Sequence, residues 1–310
     1  MKVLAHIHTF NDEEVIEKAI EALMDQNYPL EEILIVDNAS TDGTVDRAFP
    51  EIVKVIRHPV NTGTSGSVAT GFKYALEKGH DWIWILDADS LPGKETLARL
   101  VTLYESFPPE YQREVGALAS RILRGPTQEP DDYGLLTRKG PRRVASDADS
   151  IFYECDSGIW SGTLFKMSAV GRVDPPRYGA EGNWVDFGLD WGDIEYFHRM
   201  RLAGFKVLVH RQSTIRHALG WQRRMSILGR TVISTNHLPF RRYLYFRNGV
   251  YFWFYLYPDP HLPGIIFYLA RHMASQIAKI TMMEDEKLTK IWAILRGAWN
   301  GYRKKLLAPY

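Results

Sequence analysis

The sequence predicts an α/β protein, a doubly wound and mostly parallel sheet followed by a C-terminal helical appendage. Three observations carry this. Short apolar runs alternate with helical spacing in a βαβαβ rhythm through the first third of the chain. Carboxylates recur where those runs end, and beyond Arg241 the chain turns helical, aromatic and basic. At 310 residues the chain exceeds the roughly 250–300 residues that one compact core holds. The natural division is a catalytic or binding domain at 1–240 and a basic, aromatic region at 241–310.

The elements follow in order. Residues 2–7 form a first apolar strand, and the amphipathic stretch 13–24 a helix with Asn11 or Asp12 as its cap. EILIV at 32–36 is a buried strand that stops in the turn-rich DNASTDG, and IVKVI at 52–56 is a third. Residues 61–71 carry three glycines, and 67–78 have helical spacing before the stop at Gly79. WIWIL at 82–86 is a fourth strand and runs directly into Asp87-Ala88-Asp89-Ser90. From 107 to 149 the pattern loosens, and the polar, Pro/Gly-rich 125–143 reads as a long loop. Order returns at 151–166, then as a helix at 193–202 ended by Gly204 and a strand at 205–210.

Composition narrows the function. The single cysteine, Cys155, excludes a disulfide framework and a cysteine zinc site, and points to a reducing, cytoplasmic compartment. The N-terminus meets carboxylates too early for a secretory signal, and no run reaches the roughly 18–20 apolar residues that span a bilayer. Overall charge is balanced, yet residues 211–310 hold 16 Lys+Arg against 4 Asp+Glu, a net of +12, while residues 1–210 carry −11. Cations among aromatics suit an anionic membrane surface. Homo-oligomerisation is the rival partner for the same residues, and nucleic acid is not expected. The apolar but proline-broken stretch 249–270 is the segment suited to lie at such an interface.

In open α/β sheets, ligands bind at the carboxyl ends of the strands. Here the first strand ends in His6-Ile7-His8-Thr9 instead of glycines, so a dinucleotide fingerprint is absent, and no GxxxxGK[ST] P-loop occurs. Asp87 and Asp89, two residues apart after a buried strand, can share one hard divalent cation such as Mg²⁺ or Mn²⁺. Such a cation stabilises a departing diphosphate. A second D-x-D, Asp147 and Asp149, follows no strand and reads as solvated turn residues.

Six segments carry a family resemblance: LIVDNASTDGT (34–44), NTGTSGSVATGFKYAL (61–76), WILDADS (84–90), SGTLFKMSAVGRVDP (161–175), DFGLDWGDIEYFHRMRLAGF (186–205) and RYLYFRN (242–248). Together they resemble the family 2 inverting glycosyltransferases of GT-A fold, and the last is similar to rhamnosyl- and galactofuranosyltransferase-like members. The resemblance implies transfer of a sugar from a UDP- or dTDP-linked donor to a glycan or lipid-linked acceptor. It places Asp37, His8, Thr9, Asn61, Gly63, Asp87 and Ala88 against the nucleotide sugar, and Mn²⁺ or Mg²⁺ on Asp87, Asp89 and a histidine. Two histidines are available for the third ligand, His210 and His217, and motif spacing favours His217.

By motif position Asp193 is the general base, within an acidic D-x-x-D-x-E segment at a helix start. Asp190 or Asp193 equally suits a helix cap, where the dipole would keep a carboxylate ionised and weakly basic. Glu195 should point elsewhere and orient an acceptor hydroxyl or an arginine. Trp184 and Trp191 flank the acceptor side; Trp160 fits either that side or the core. QRRM at 222–225 departs from the Q-x-x-R-W element of processive members, which favours single addition at the cytoplasmic membrane face. The alternatives are a sugar-phosphate nucleotidyltransferase, whose G-x-G-T-R-L pattern is missing, and a non-catalytic carbohydrate-binding protein.

Overall fold

The computed structural model describes residues 1–124, 129–131, 133–144, 150–178, 187–217, 223–227 and 230–306. The first part runs β1 (Val3–Thr9), α1 (Ile16–Met24), β2 (Glu32–Asp37), β3 (Val53–Arg57), α2 (Gly63–Lys78), β4 (Trp82–Asp87), β5 (Ser90–Pro92), α3 (Thr96–Glu105) and α4 (Pro109–Glu114). It continues with β6 (Val115–Arg124), β7 (Glu129–Asp131), β8 (Gly134–Thr137), β9 (Gly140–Arg143), β10 (Phe152–Cys155), β11 (Thr163–Lys166) and α5 (Met167–Val170). Then come α6 (Gly192–Leu202), β12 (Lys206–His217), β13 (Arg223–Ile227), β14 (Arg230–Ser234), α7 (Pro239–Tyr251), a π-helical turn (Phe252–Leu256), α8 (Leu262–Met283) and α9 (Lys287–Tyr302).

The main sheet has the order β10-β12-β6-β11-β4-β1-β2-β3, with β5 added to β12 and β7 to β6. β3, β2, β1 and β4 are parallel neighbours, as are β6 and β12; β11 and β10 run against them. The fold is therefore the mixed, mostly parallel α/β sheet that the sequence predicts. Every residue of β1 is buried, as expected of a strand covered by helices on both faces. The helix α1 turns Ile16, Ala19, Ile20 and Leu23 inward, the i, i+3, i+4, i+7 stripe of a surface helix.

Four features differ from the sequence-based expectation. The helix after β1 starts at Ile16 behind Val15, with no side-chain cap; Asp12 instead accepts from Thr9 Oγ1 at 2.8 Å and from Phe10 N at 3.0 Å. The helix expected from 67 starts at Gly63, whose positive φ of 73° turns the chain into it. The segment read as loose contains the ten-residue β6 and the β8–β9 hairpin. Its Gly116, Ala117, Ala119 and Ser120 give no apolar run. At Gly116 the missing side chain lets α6 and its exit approach, since a Cβ there would meet Met200 and Phe205. Asp147 and Asp149 lie outside the described residues.

The strand expected at 205–210 continues to His217 through a register shift between His210 and Thr214. At that shift His210 Nδ1 accepts from Gln212 N and Ser213 N, each at 3.1 Å. In the last quarter, Val250, Phe252, Trp253, Ile265 and Leu269 are buried in one cluster with Phe187 and Trp191. Part of the apolar content of 249–270 is thus spent on an internal core, while Leu262, Ile266 and Phe267 stay exposed. Among the described residues, no helix is long and apolar enough to cross a membrane.

Candidate active site

Two strand pairings build the centre of the site. In the β1–β4 register His8 stands opposite Asp87, and in the β12–β5 register His217 stands opposite Ser90. His8 Nε2 contacts Asp87 Oδ1 directly. His217 lies between the two carboxylates, with Nε2 3.4 Å from Asp87 Oδ2 and Nδ1 3.1 Å from Asp89 Oδ1. Ser90 Oγ is 2.9 Å from His217 Nδ1 and 2.7 Å from Ser161 Oγ, which in turn accepts from Asp87 N at 3.2 Å.

Asp87, Asp89 and His217 each present one donor atom, all within 4.8 Å of one another. Two carboxylate oxygens and an imidazole nitrogen form a set suited to Mn²⁺ or Mg²⁺. Burial by itself would raise the Asp87 carboxyl, but His8 and His217, with Arg241 farther off, outweigh it and hold the group at about 2. Asp87 is therefore an anion at any physiological pH.

These groups floor a cleft of about 550 Å³. Thr9, Phe10, Asn61, Gly63 and Ala88 line it as well. Asn61 Oδ1 accepts from Gly63 N at 2.9 Å, which shapes the turn into α2. Asp37 sits behind the wall, fully buried, accepting from Ser40 N at 3.2 Å and facing Arg57 Nε at 3.3 Å. Its neighbour Asn38 reaches the cleft instead, tied to Gly63 O at 3.2 Å. Phe10, Asn38, Thr64 and His237 escaped the sequence reading. Asn38 and Thr64 lie within the motif segments 34–44 and 61–76 without a role assigned there, and Phe10 is an aromatic directly after an apolar run.

A second cleft, about 520 Å³, adjoins the first, and Leu189, Thr235, His237 and Arg241 wall both. The start of α6 supplies its acids. Gly192 packs so tightly on Ser65 and on the carbonyl of Phe187 that no Cβ would fit, which fixes where the next residue points. Neither acid takes the capping position, which belongs to Trp191 at φ 73°. Asp193 Oδ1 accepts from Ile194 N at 2.8 Å, and Asp190 Oδ1 lies 3.3 Å from Arg241 Nε.

The dipole argument from sequence would keep Asp193 a weak base. In the structure, burial and then the charges of Asp190 and Asp87 prevail over the helical N–H groups and push its carboxyl up to about 7. Burial also raises Asp190, against the pull of Arg241. Trp191 is buried against Tyr245 and Phe252, with ring centroids 5.8 and 5.5 Å away, and its Nε1 faces no partner. Glu195 points away, paired with Arg199 at 2.7 Å and Arg177 at 3.3 Å. Trp160 belongs to the core, packed among Phe72, Phe165 and Tyr196. Trp184 lies outside the described residues.

Comparison with known proteins matches this sheet edge. Residues 5–122 match the family model Glycosyl transferase family 2. An undecaprenyl-phosphate mannosyltransferase of Micrococcus luteus is 35% identical over 106 residues, 33% of this chain and 43% of that protein. The galactofuranosyltransferase GlfT1 of Mycobacterium tuberculosis is 25% identical over 231 residues, 67% of this chain and 73% of that protein. The chain thus spans less than half of the mannosyltransferase's length and about three quarters of the galactofuranosyltransferase's. A solved mannosyltransferase from Pyrobaculum calidifontis, in complex with GDP-Man and Mn²⁺, superposes with a TM-score of 0.54 at 16% identity, covering 98% of this chain and 88% of that one. That likeness shows a GT-A type of fold. The stretch that matches the glycosyl transferase family 2 model, residues 5–122, is the part of the chain that holds the His8–Asp87 pair.

Proposed function

We propose that the chain transfers a sugar from a nucleotide-diphosphate donor to a carbohydrate or lipid-linked glycan by single displacement, with inversion. The observation that carries this is the pairing of two joined clefts. One holds an oxygen-rich cation set, and the other holds a carboxylate tuned to about 7. The solved mannosyltransferase, with its GDP-Man and Mn²⁺, supports a nucleotide sugar and a divalent ion in the first cleft.

In this reading the donor's base rests along Phe10, Asn38 and Asn61, and its diphosphate faces Asp87, Asp89 and His217. The divalent cation, Mn²⁺ or Mg²⁺, would be held by those three side chains and supply charge neutralisation to the leaving diphosphate. Arg241, on the shared wall, adds a fixed positive charge there. Asp193 takes the proton of the acceptor hydroxyl as its oxygen bonds to the sugar carbon and the bond to diphosphate breaks. A base with a pKa near the working pH suits that step. Trp191 and Tyr245 form the aromatic side of the acceptor cleft. The enzyme would work at the cytoplasmic membrane surface without crossing the bilayer, as a lipid-linked acceptor requires.

The decisive test is Asp193→Asn. Its turnover should fall at least about a thousandfold, while affinity for the nucleotide sugar with Mn²⁺, read by calorimetry, stays within about threefold. Normal turnover by this variant would assign the base elsewhere.

A further inference from the structure

The helix α9 has two apolar sides, and only one is covered. Inward, Ala293, Ile294, Gly297 and Gly301 are buried. A Cβ at Gly297 or Gly301 would strike the backbone carbonyl of Tyr243 or Arg247, so α9 lies backbone-close on α7. Outward, Leu288, Trp292, Leu295, Trp299 and Tyr302 are 84%, 64%, 44%, 57% and 51% exposed. Their spacing of four, three, four and three residues sets all five on one face. A surface helix of a water-facing protein is polar there.

Charge on the same segment selects the occupant. Residues 287–306 contain six Lys or Arg and no Asp or Glu. Lys290 is used inside, 3.2 Å from Glu284 Oε2. Arg303 lies over the Trp299 ring at 5.6 Å, and Lys304 over the Tyr255 ring at 4.3 Å, so cations border the aromatic stripe. Tyr255 Oη further donates to the Tyr302 carbonyl at 2.5 Å, securing the end of the helix. A second copy docked here about a two-fold axis would set these cations against their own images. An anionic lipid surface instead offers headgroup phosphates to the cations and acyl chains to the tryptophans, which favour the boundary between the two.

We infer that the outer face of α9 is a monotopic membrane anchor that lies in the headgroup layer of an anionic leaflet. This rests on the membrane-surface part of the reading above, not on the transfer chemistry. It adds to 249–270, where the sequence placed the contact and where Leu262, Ile266 and Phe267 are exposed, a helix whose apolar stripe only the packing reveals.

Flotation of the full chain with phosphatidylcholine vesicles, with or without roughly one-third phosphatidylglycerol, tests it. The protein should float with the anionic vesicles and remain behind with the neutral ones. The double variant Trp292→Ser, Trp299→Ser should lose at least about tenfold in vesicle partition, with its melting temperature and its transfer to a soluble acceptor unchanged. Leu288→Ser, at the most exposed position, should weaken partition in the same direction and guards against a folding defect in the double variant. Three results overturn the inference: a wild-type protein that ignores anionic vesicles, variants that float as well as wild type, or light scattering in which the tryptophan substitutions dissociate a dimer that never floats. Loss of transfer with vesicle binding retained would count against the enzymatic reading alone.

Discussion

Asp193 shows how a residue's chemistry is set against its local inclination. A carboxylate in the first turn of a helix gains from the N–H groups around it, yet burial beside Asp190 and Asp87 raises this one to about 7. Its folded value exceeds the unfolded carboxylate value of roughly 4, so folding favours the protonated form. The stabilising contribution is full below the unfolded value and is lost as pH rises through about 7. Asp193→Asn should therefore melt higher than wild type at pH well above neutrality, by roughly 2 kcal/mol once partial exposure is allowed for, and level with it in acid. Transfer by the wild-type protein should climb through the same pH range as the base deprotonates. Denaturant titrations at the two pH extremes and a pH–rate profile check both; a variant less stable than wild type in alkali would mean that the carboxylate is not desolvated. Motif position singled out Asp193, but its charge state depends on Asp87, far away in the chain, as well as on its near neighbour Asp190.

At the scale of elements, β12 explains which histidine joins the site. His210 is buried and bonds the two N–H groups at the register shift, and the strand resumes beyond it to deliver His217 opposite Ser90. His210→Ala would strand both N–H groups, costing about 1–3 kcal/mol. It should also weaken Mn²⁺ binding through displacement of His217; an unchanged urea midpoint would show that the turn holds itself. The sequence revealed β1, β2 and β4 because strands buried on both faces are runs of large apolar residues, and β3, an edge strand mostly exposed beyond Val53, through its β-branched IVKVI. It concealed β6 because Gly116, Ala117, Ala119 and Ser120 break any run of large apolar residues, and Gly116 lies against Met200 of α6 and Phe205 at its exit. Asp37, legible at a strand end, is engaged by Ser40 and Arg57, and its neighbour Asn38, inside the same motif segment but given no role there, lines the cleft.

Across the whole molecule, a buried ionic knot ties the C-terminal helices to one another and to the β13–β14 hairpin. Glu284 accepts from Arg242 at 2.5 Å, lies 3.2 Å from Lys290, and bonds Ser234 Oγ, so α7, α9, β14 and the end of α8 meet at one carboxylate. Arg242 also reaches Gln276 Oε1 at 2.7 Å on the wall of the acceptor cleft. Glu284→Gln leaves two buried cations under-compensated and should destabilise the fold by about 3–5 kcal/mol, read as a lowered denaturant midpoint; a loss below about 1 kcal/mol would mean that water reaches the knot. None of this was legible in the sequence, where Glu284-Asp285-Glu286 resembles an ordinary solvated acidic turn. The wall common to the two clefts has a thermodynamic corollary. Whatever a donor does to the positions of His237 and Arg241 is felt by the acceptor, and reciprocity obliges the acceptor to change the donor's equilibrium affinity by an equal factor.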